Sequence, residues 1–216
     1  GDGTFLGVAR DLAGCGIPLV GINQGRLGFL TDIRFDAIDP TLIETLQGQG
    51  QAEQRQYLQA RVLREGRVLS EGIAVNDIVI SRGMVGGMVE LRVEVDNTLM
   101  YDLRADGLIV STPTGSTAYS LSAHGPILHP SLAGLVIVPV APHALTNRPI
   151  ALPNHCKIKI TVSGGKQTAV HFDMQSNCRV KVGDEVHIEV APHPILLLHP
   201  PRYDYYAMLR QKLHWS

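Results

Sequence analysis

Residues Val89–Leu103 read VELRVEVDNTLMYDL, and the fold is decided there. Val89, Leu91, Val93 and Val95 alternate with Glu90, Arg92, Glu94 and Asp96. A side-chain period of two turns one set toward a core and the other toward water. Asp96-Asn97 is a turn pair, after which Leu99, Tyr101 and Leu103 carry the alternation back. Two such runs around a tight turn predict a β-hairpin. Toward the N-terminus, Leu58, Ala60 and Val62 alternate in the same way and end at a turn, Arg64-Glu65-Gly66. Toward the C-terminus lie Leu135–Val140, Ile158–Val162, Ala169–Phe172, Val180–Val182 and Val186–Val190, separated by turns such as Gly164-Gly165 and Gly183-Asp184. Pro194–Pro201 adds a last strand with a proline stop. Many short strands with glycine turns predict an all-β sandwich-like domain over residues 56–200.

Before residue 56 the period changes. Phe5, Leu6, Ala9 and Leu12 keep helical spacing over Thr4–Ala13, and Gly14 and Gly16 stop the helix. Ile17–Ile22 is a short apolar strand, and Asn23–Asp32 a loop with two glycines. Asp39-Pro40 opens a second helix with Leu42, Ile43 and Leu46 as its stripe, closed by Gly48–Gly50. Helix and strand alternating after a glycine-rich turn predict a Rossmann-like α/β layer over residues 1–55. The chain is therefore read as a two-domain α+β protein. Residues 201–216 form an arm or helix, with Tyr206, Leu209 and Leu213 on one face, able to return to the α/β part. Because the sequence opens inside the turn Gly1-Asp2-Gly3, a preceding α/β segment is expected in a longer protein.

The bulk properties exclude several classes. Hydrophobic residues make up 44% of 216, enough for a real core. A net charge of −1 gives no electrostatic footprint for nucleic acid. No apolar run approaches the ~18 residues that would mark a membrane span. Cys15, Cys156 and Cys178 are scattered and odd in number, which fits a reducing cytoplasmic setting without disulfides or zinc. His124, His129, His143 and His155 lack metal-ligand spacing, so no protein metal site is read. No P-loop or G-x-S-x-G signature is present.

The residues that could carry chemistry fall in three places. Asp106–Pro130 reads DGLIVSTPTGSTAYSLSAHGPILHP. Apolar Leu108–Val110 gives way to a small, hydroxylated run from Ser111 to Ser122, a poor strand and a poor core. Gly115 permits unusual dihedrals, and Ser116 or Thr117 can cap a helix whose free N–H groups would hold an anion. No Lys or Arg lies between Arg104 and Arg148, so backbone and hydroxyl donors would do the holding. The bland alternative is a Ser/Thr loop capping a helix. Asp2, between glycines, is either a helix N-cap or a general base. Asn76-Asp77 interrupts the apolar Ile73–Ile80; it is either a bulge or strand switch between sheets, or a polar recognition pair. Arg104 and Asp106 read as a surface ion pair, Tyr119 as a ring platform or core aromatic, and Gln175 as an exposed turn.

The 106–130 segment resembles the glycine-rich segment of bacterial NAD kinases over its whole length. Gly1-Asp2-Gly3-Thr4 resembles the tail of that family's GGDGT motif, and Asn76-Asp77 its short Asn-Glu/Asp motif. The likeness extends over nearly the whole chain. It implies phosphoryl transfer from ATP or polyphosphate, with Mg²⁺ neutralising the donor's phosphates, to the adenosine ribose 2′-hydroxyl of NAD, giving NADP. Asp2 would be the catalytic base, and Gly3 would let phosphate approach the backbone. Asp2, Gly3, Asn76, Asp77, Arg104, Asp106, Thr117, Ala118, Tyr119, Ser120, Leu121, Ser122 and Gln175 would contact NAD. Gly87 stands where relatives often carry a basic residue. The resemblance also implies a dimer or tetramer with the β domain in the contact. A lipid kinase sharing the GDGT turn and a non-catalytic dinucleotide-binding module are the alternatives.

Overall fold

A computed structural model describes residues 1–25, 28–83 and 87–215. Arg26 and Leu27 of the expected Asn23–Asp32 loop lie outside the described residues. The chain divides into two compact units, Gly1–Arg55 with His193–Ser216, and Gln56–Pro192.

The first unit opens with helix α1 (Asp2–Asp11), which buries Phe5, Leu6 and Ala9 at helical spacing. Strands β1 (Ile22–Asn23) and β2 (Ile33–Arg34) pair in parallel. The expected strand at Ile17–Ile22 is reduced to a bridge at Leu19 before β1. Helix α2 (Ile38–Glu44) carries Pro40 in its first turn and unwinds at Gly48, whose φ is 87°. The apolar stripe expected on this helix is not buried. Ile43 and Leu46 are exposed, and Thr45 is buried instead, its hydroxyl turned back onto the Thr41 carbonyl. Strand β3 (Gln51–Arg55) follows.

The second unit runs β4 (Leu58–Arg64), β5 (Arg67–Ala74), β6 (Asp77–Ser81), β7 (Val89–Val95), β8 (Thr98–Ala105) and β9 (Gly107–Ser111). A short helical turn, α3 (Tyr119–Ser122), precedes β10 (Gly134–Val140), β11 (Ile150–Pro153), β12 (Ile158–Gly164), β13 (Ala169–Phe172), β14 (Ser176–Arg179) and β15 (Glu185–Val190). These strands form two antiparallel sheets, β11-β10-β9-β6-β13-β14 and β5-β4-β15-β12-β7-β8. Leu58, Val62, Ile78, Ile80, Leu91, Leu108, Ile137, Ile160 and Val186 interleave between them as one apolar core.

The two sheets read differently because their outer faces differ. In β7 and β12 burial alternates, since the outer face is open to water. In β6, β9 and β10 nearly every residue is buried. Their second face, Val79, Ile109, Val136 and Val138, is covered by Leu128 and Ala123 from the segment after β9. The hairpin departs from expectation at one point. Val93 pairs with Tyr101 but Glu94 with Leu99, so Met100 is an extra residue in β8. A bulge reverses the side-chain faces beyond it, so Met100 packs on the core and Leu99 is exposed.

The chain returns to the first unit earlier than residue 201. Strand β16 (Ile195–His199) pairs antiparallel with β3. Helix α4 (Tyr205–Leu213) is capped by the Asp204 carboxylate and buries Met208 and Leu209, while Tyr206 faces water.

Candidate functional site

Asp2 is the first residue of α1, and its side chain does not cap that helix. Its carboxylate turns to a loop far along the chain. It accepts from the Phe29 N–H at 2.8 Å, the Leu30 N–H at 3.2 Å and the Thr31 hydroxyl at 3.0 Å. Gly28 makes room for this grip, because a Cβ there would overlap the Asp2 carboxylate. The sequence separation of 27–29 residues hid these partners from a local reading. Gly3 is exposed in the same turn.

In the second unit the chemistry gathers where β5 crosses from one sheet to β6 in the other. The strand-switch reading of Asn76-Asp77 is what the backbone does. Asp173 fastens the crossing: its carboxylate accepts from the N–H groups of Val75 at 3.0 Å, Asn76 at 2.8 Å and Asp77 at 3.2 Å. It can do so because it sits at φ 50° in the turn between β13 and β14. Asp173 was not singled out in the sequence; an aspartate between two alternating strands is the signal that could have found it. Gln175 lies exposed in the same turn.

The Ser/Thr run packs against this crossing, and its hydroxyls serve the fold. Thr112 Oγ1 donates to the Val75 carbonyl at 2.7 Å and accepts the Gly115 N–H at 3.1 Å. Ser116 Oγ donates to Pro113 and receives Leu128, and Thr117 Oγ1 donates to Thr114. Neither Ser116 nor Thr117 caps α3, and the Ser116 and Ala118 N–H groups are taken by Thr112 and Gly115 carbonyls. The capping expected of Ser116 or Thr117 is therefore not what their hydroxyls do. Gly115 also has no positive φ. It is needed because a Cβ would overlap the Asn76 carbonyl oxygen.

What this scaffold leaves outward is limited. Thr117, Ala118 and Leu121 are half-buried, and Tyr119 and Ser122 are exposed. Ser120 is fully buried and its hydroxyl bonds no protein group among the described residues. Tyr119 is thus not a core aromatic. It shares a shallow cavity of about 410 Å³ with Arg82, Asp106, Gly107 and Val140. Asp106 is held there by Arg82, through Nε at 2.7 Å and Nη2 at 3.3 Å. The expected Arg104–Asp106 pair does not form; Arg104 instead approaches Glu90 across the β7–β8 pair at 3.9 Å, both exposed. A larger hollow of about 750 Å³ on the second sheet contains none of the residues that the sequence marks for chemistry. A carboxylate, a guanidinium and a ring converge in the smaller cavity.

The Asn76 side-chain amide makes no hydrogen bond among the described residues, while Asp77 is buried. Burial, reinforced by the nearby Asp173 charge, pushes the Asp77 carboxyl up to about 7. The sign for stability follows from linkage. Below the ordinary carboxylate range both folded and unfolded states bind the proton and nothing is lost. As pH rises toward and through 7, the folded state resists ionisation and stability falls. A displacement of this size is worth on the order of 4 kcal/mol in the limit. Asp77→Asn is accordingly expected to gain stability relative to the parent chain between pH 4 and pH 8, measured by urea unfolding at both values. A parallel pH dependence in the two proteins would refute the buried-acid assignment. Asp173→Asn keeps an acceptor but removes the charge. It should cost about 1–2 kcal/mol at low pH and move the Asp77 titration below 7, followed by carboxyl NMR.

Residues 1–50 match the model for the ATP-NAD kinase N-terminal domain, and residues 75–199 that for the ATP-NAD kinase C-terminal domain. This chain belongs to the NAD kinase family. The NAD kinase of Ralstonia nicotianae is 53% identical over 215 residues, covering 100% of this chain and 71% of that protein. The NAD kinase of Burkholderia lata is 52% identical over 216 residues, with 100% and 72% covered. Among solved structures, yeast NADH kinase complexed with NADH superposes with a TM-score of 0.92 at 26% identity. This chain spans 64% of the yeast chain, less than two thirds. An Archaeoglobus fulgidus NAD kinase in complex with ATP gives 0.84 at 26% identity, with 81% of that chain spanned. The short α/β part followed by antiparallel sheets is the NAD kinase fold, and membership of this family sets the lipid-kinase alternative aside. No helix among the described residues is long and apolar enough to cross a membrane.

Proposed function

We propose that this chain transfers a phosphoryl group from ATP, or from polyphosphate, to the 2′-hydroxyl of the adenosine ribose of NAD, giving NADP. The observation that carries the proposal is the identity of more than half the residues, over the full chain, to proteins named NAD kinase. The Asp2 geometry supports it. Phosphoryl transfer needs alignment, neutralised charge and a group to take the nucleophile's proton. A carboxylate held by three neutral donors keeps its orientation and remains a proton acceptor. In this reading Asp2 removes the ribose proton, and Gly3 gives a donor phosphate room beside the backbone. The Asn76 amide reads the adenine edge, Asp77 holds ribose hydroxyls, and Asp106 lines the NAD site. Tyr119, with Thr117, Ala118, Leu121 and Ser122 around it, supplies the surface for a ring. Ser120 shapes that surface from behind. Arg104 and Gln175 contribute from exposed positions.

No group of three or more His, Cys, Asp and Glu among the described residues could hold an ion unaided. A divalent cation would arrive with the nucleotide, carried by its phosphates. Self-association through the β unit, as dimer or tetramer, and a cytoplasmic location complete the proposal. The test is an NADP-forming assay with ATP and with polyphosphate, beside calorimetry with NAD. NADP formation with either donor is expected. Binding of NAD without turnover from either donor would replace the kinase with a dinucleotide-binding module.

A further inference from the structure

The loop that grips Asp2 continues into a buried charge relay that the phosphoryl-transfer reading does not use. Asp32, next after Thr31, meets His199 Nδ1 with its Oδ2 at 2.7 Å. The other ring nitrogen of His199, Nε2, meets Glu53 Oε2 at 2.8 Å. His199 is 2% exposed and its ring stacks on Tyr203, centroids 3.8 Å apart and planes 9° from parallel. Glu53 also receives Arg55 Nη2 at 2.6 Å. Carboxylates only accept, so a ring bonded to two of them must donate from both nitrogens and is an imidazolium. Asp32 Oδ1 is buried without a protein partner, so among the described residues this carboxylate depends on His199. The ring sits at the end of β16, whose five-pair ladder with β3 is longer than the two-pair ladder of β1 and β2.

We propose that His199 is a positioning residue: its doubly bonded imidazolium pins Asp32 to the β3–β16 ladder and so holds Phe29, Leu30 and Thr31 against the Asp2 carboxylate. The inference rests on the reading of Asp2 as the base. It also gives turnover a basic limb. While the ring is charged, Asp32 is tied. When the ring loses a proton, one carboxylate faces a lone pair, and the loop that orients Asp2 is released. Burial alone would lower the His199 titration, but hydrogen bonds to Asp32 and Glu53, with their charges, outweigh it and raise it above the ordinary histidine value. The groups facing the ring are Asp32 from the loop, Glu53 from β3 and Tyr203 from the segment after β16; Arg55 acts on Glu53, and the charges of Arg55 and Glu53 also reach Tyr205 at the start of α4. The Tyr203 hydroxyl is raised by its burial, so it stays neutral throughout the range.

The experiment uses H199Q and E53Q in the full-length protein. Four quantities are read: kcat and KM for NAD against pH, the His199 ring titration by NMR, and hydrogen exchange at the Phe29 and Leu30 amides. H199Q is expected to lower kcat about tenfold or more, with KM for NAD within about threefold, and to abolish the basic limb. E53Q keeps the shape but removes one acceptor charge, so the basic limb and the ring titration should move together to lower pH. Protection of the two amides should fall in step. A basic limb that superposes on the parent's in both variants overturns the proposal. Loss of amide protection with kcat unchanged overturns it as well. Failure of the Asp2 reading itself would appear separately, as near-normal turnover in Asp2→Asn with the amide response intact.

Discussion

Asp2→Asn is expected to lower the rate of NADP formation by about 10²–10⁴, while the Kd for NAD stays within about threefold. The substitution keeps size and shape and removes the proton acceptor. Its structural cost is small and calculable in kind. The carboxylate now accepts three hydrogen bonds, from Phe29, Leu30 and Thr31. An asparagine oxygen can serve Phe29 while its amide donates to the Thr31 hydroxyl, so the longest contact, to Leu30, is the one forfeited. That costs about 1 kcal/mol, too little to unfold the chain. The measurement is steady-state NADP formation beside calorimetric NAD binding and a melting curve. Turnover within about fivefold of the parent, with folding intact, would remove Asp2 from the base role.

Gly115→Ala is expected to destabilise the protein by about 3 kcal/mol and to weaken NAD binding with it. The new methyl would overlap the Asn76 carbonyl oxygen and lie 2.5 Å from its carbon and 2.6 Å from Ser111 Oγ. None of these can yield cheaply. The Asn76 carbonyl already receives the Thr112 N–H at 2.9 Å, and the Asn76 N–H is tied to Asp173 at 2.8 Å. The crossing between sheets would have to shift as a body, carrying the Asn76 amide with it. Urea unfolding reads the first effect and NAD calorimetry the second. An unchanged midpoint would show that the turn and the crossing are not in contact as described.

The glycine also illustrates how a residue can be read for the wrong reason. Its place in a Ser/Thr-rich run marked it for unusual dihedrals, yet what requires glycine is the approach of a backbone carbonyl from 39 residues earlier, at Asn76. The hydroxyls around it were legible as polar and small. Their partners, Val75, Pro113 and Leu128, were not, so a run that reads as ligand lining turns out to be largely internal bracing. Leu99 and Tyr206 failed for related reasons. A one-residue bulge turned Leu99 outward, and α4 buries Met208 and Leu209 rather than the face that holds Tyr206.

Periodicity and turn chemistry are local, and they sufficed for what is local: the hairpin at Asp96-Asn97, a first helix (expected over Thr4–Ala13, observed over Asp2–Asp11), the glycine stop at Gly48, and the break in an apolar run at Asn76-Asp77. Motif order along the chain sufficed for the family. Which carboxylate grips which loop was decided only by the folded chain. Asp2 with Thr31, Asp173 with Asn76, and His199 with both Asp32 and Glu53 join residues from 29 to 167 positions apart. Such contacts depend on the register of whole strands and on which sheet each one enters, and no window of neighbouring residues contains that information.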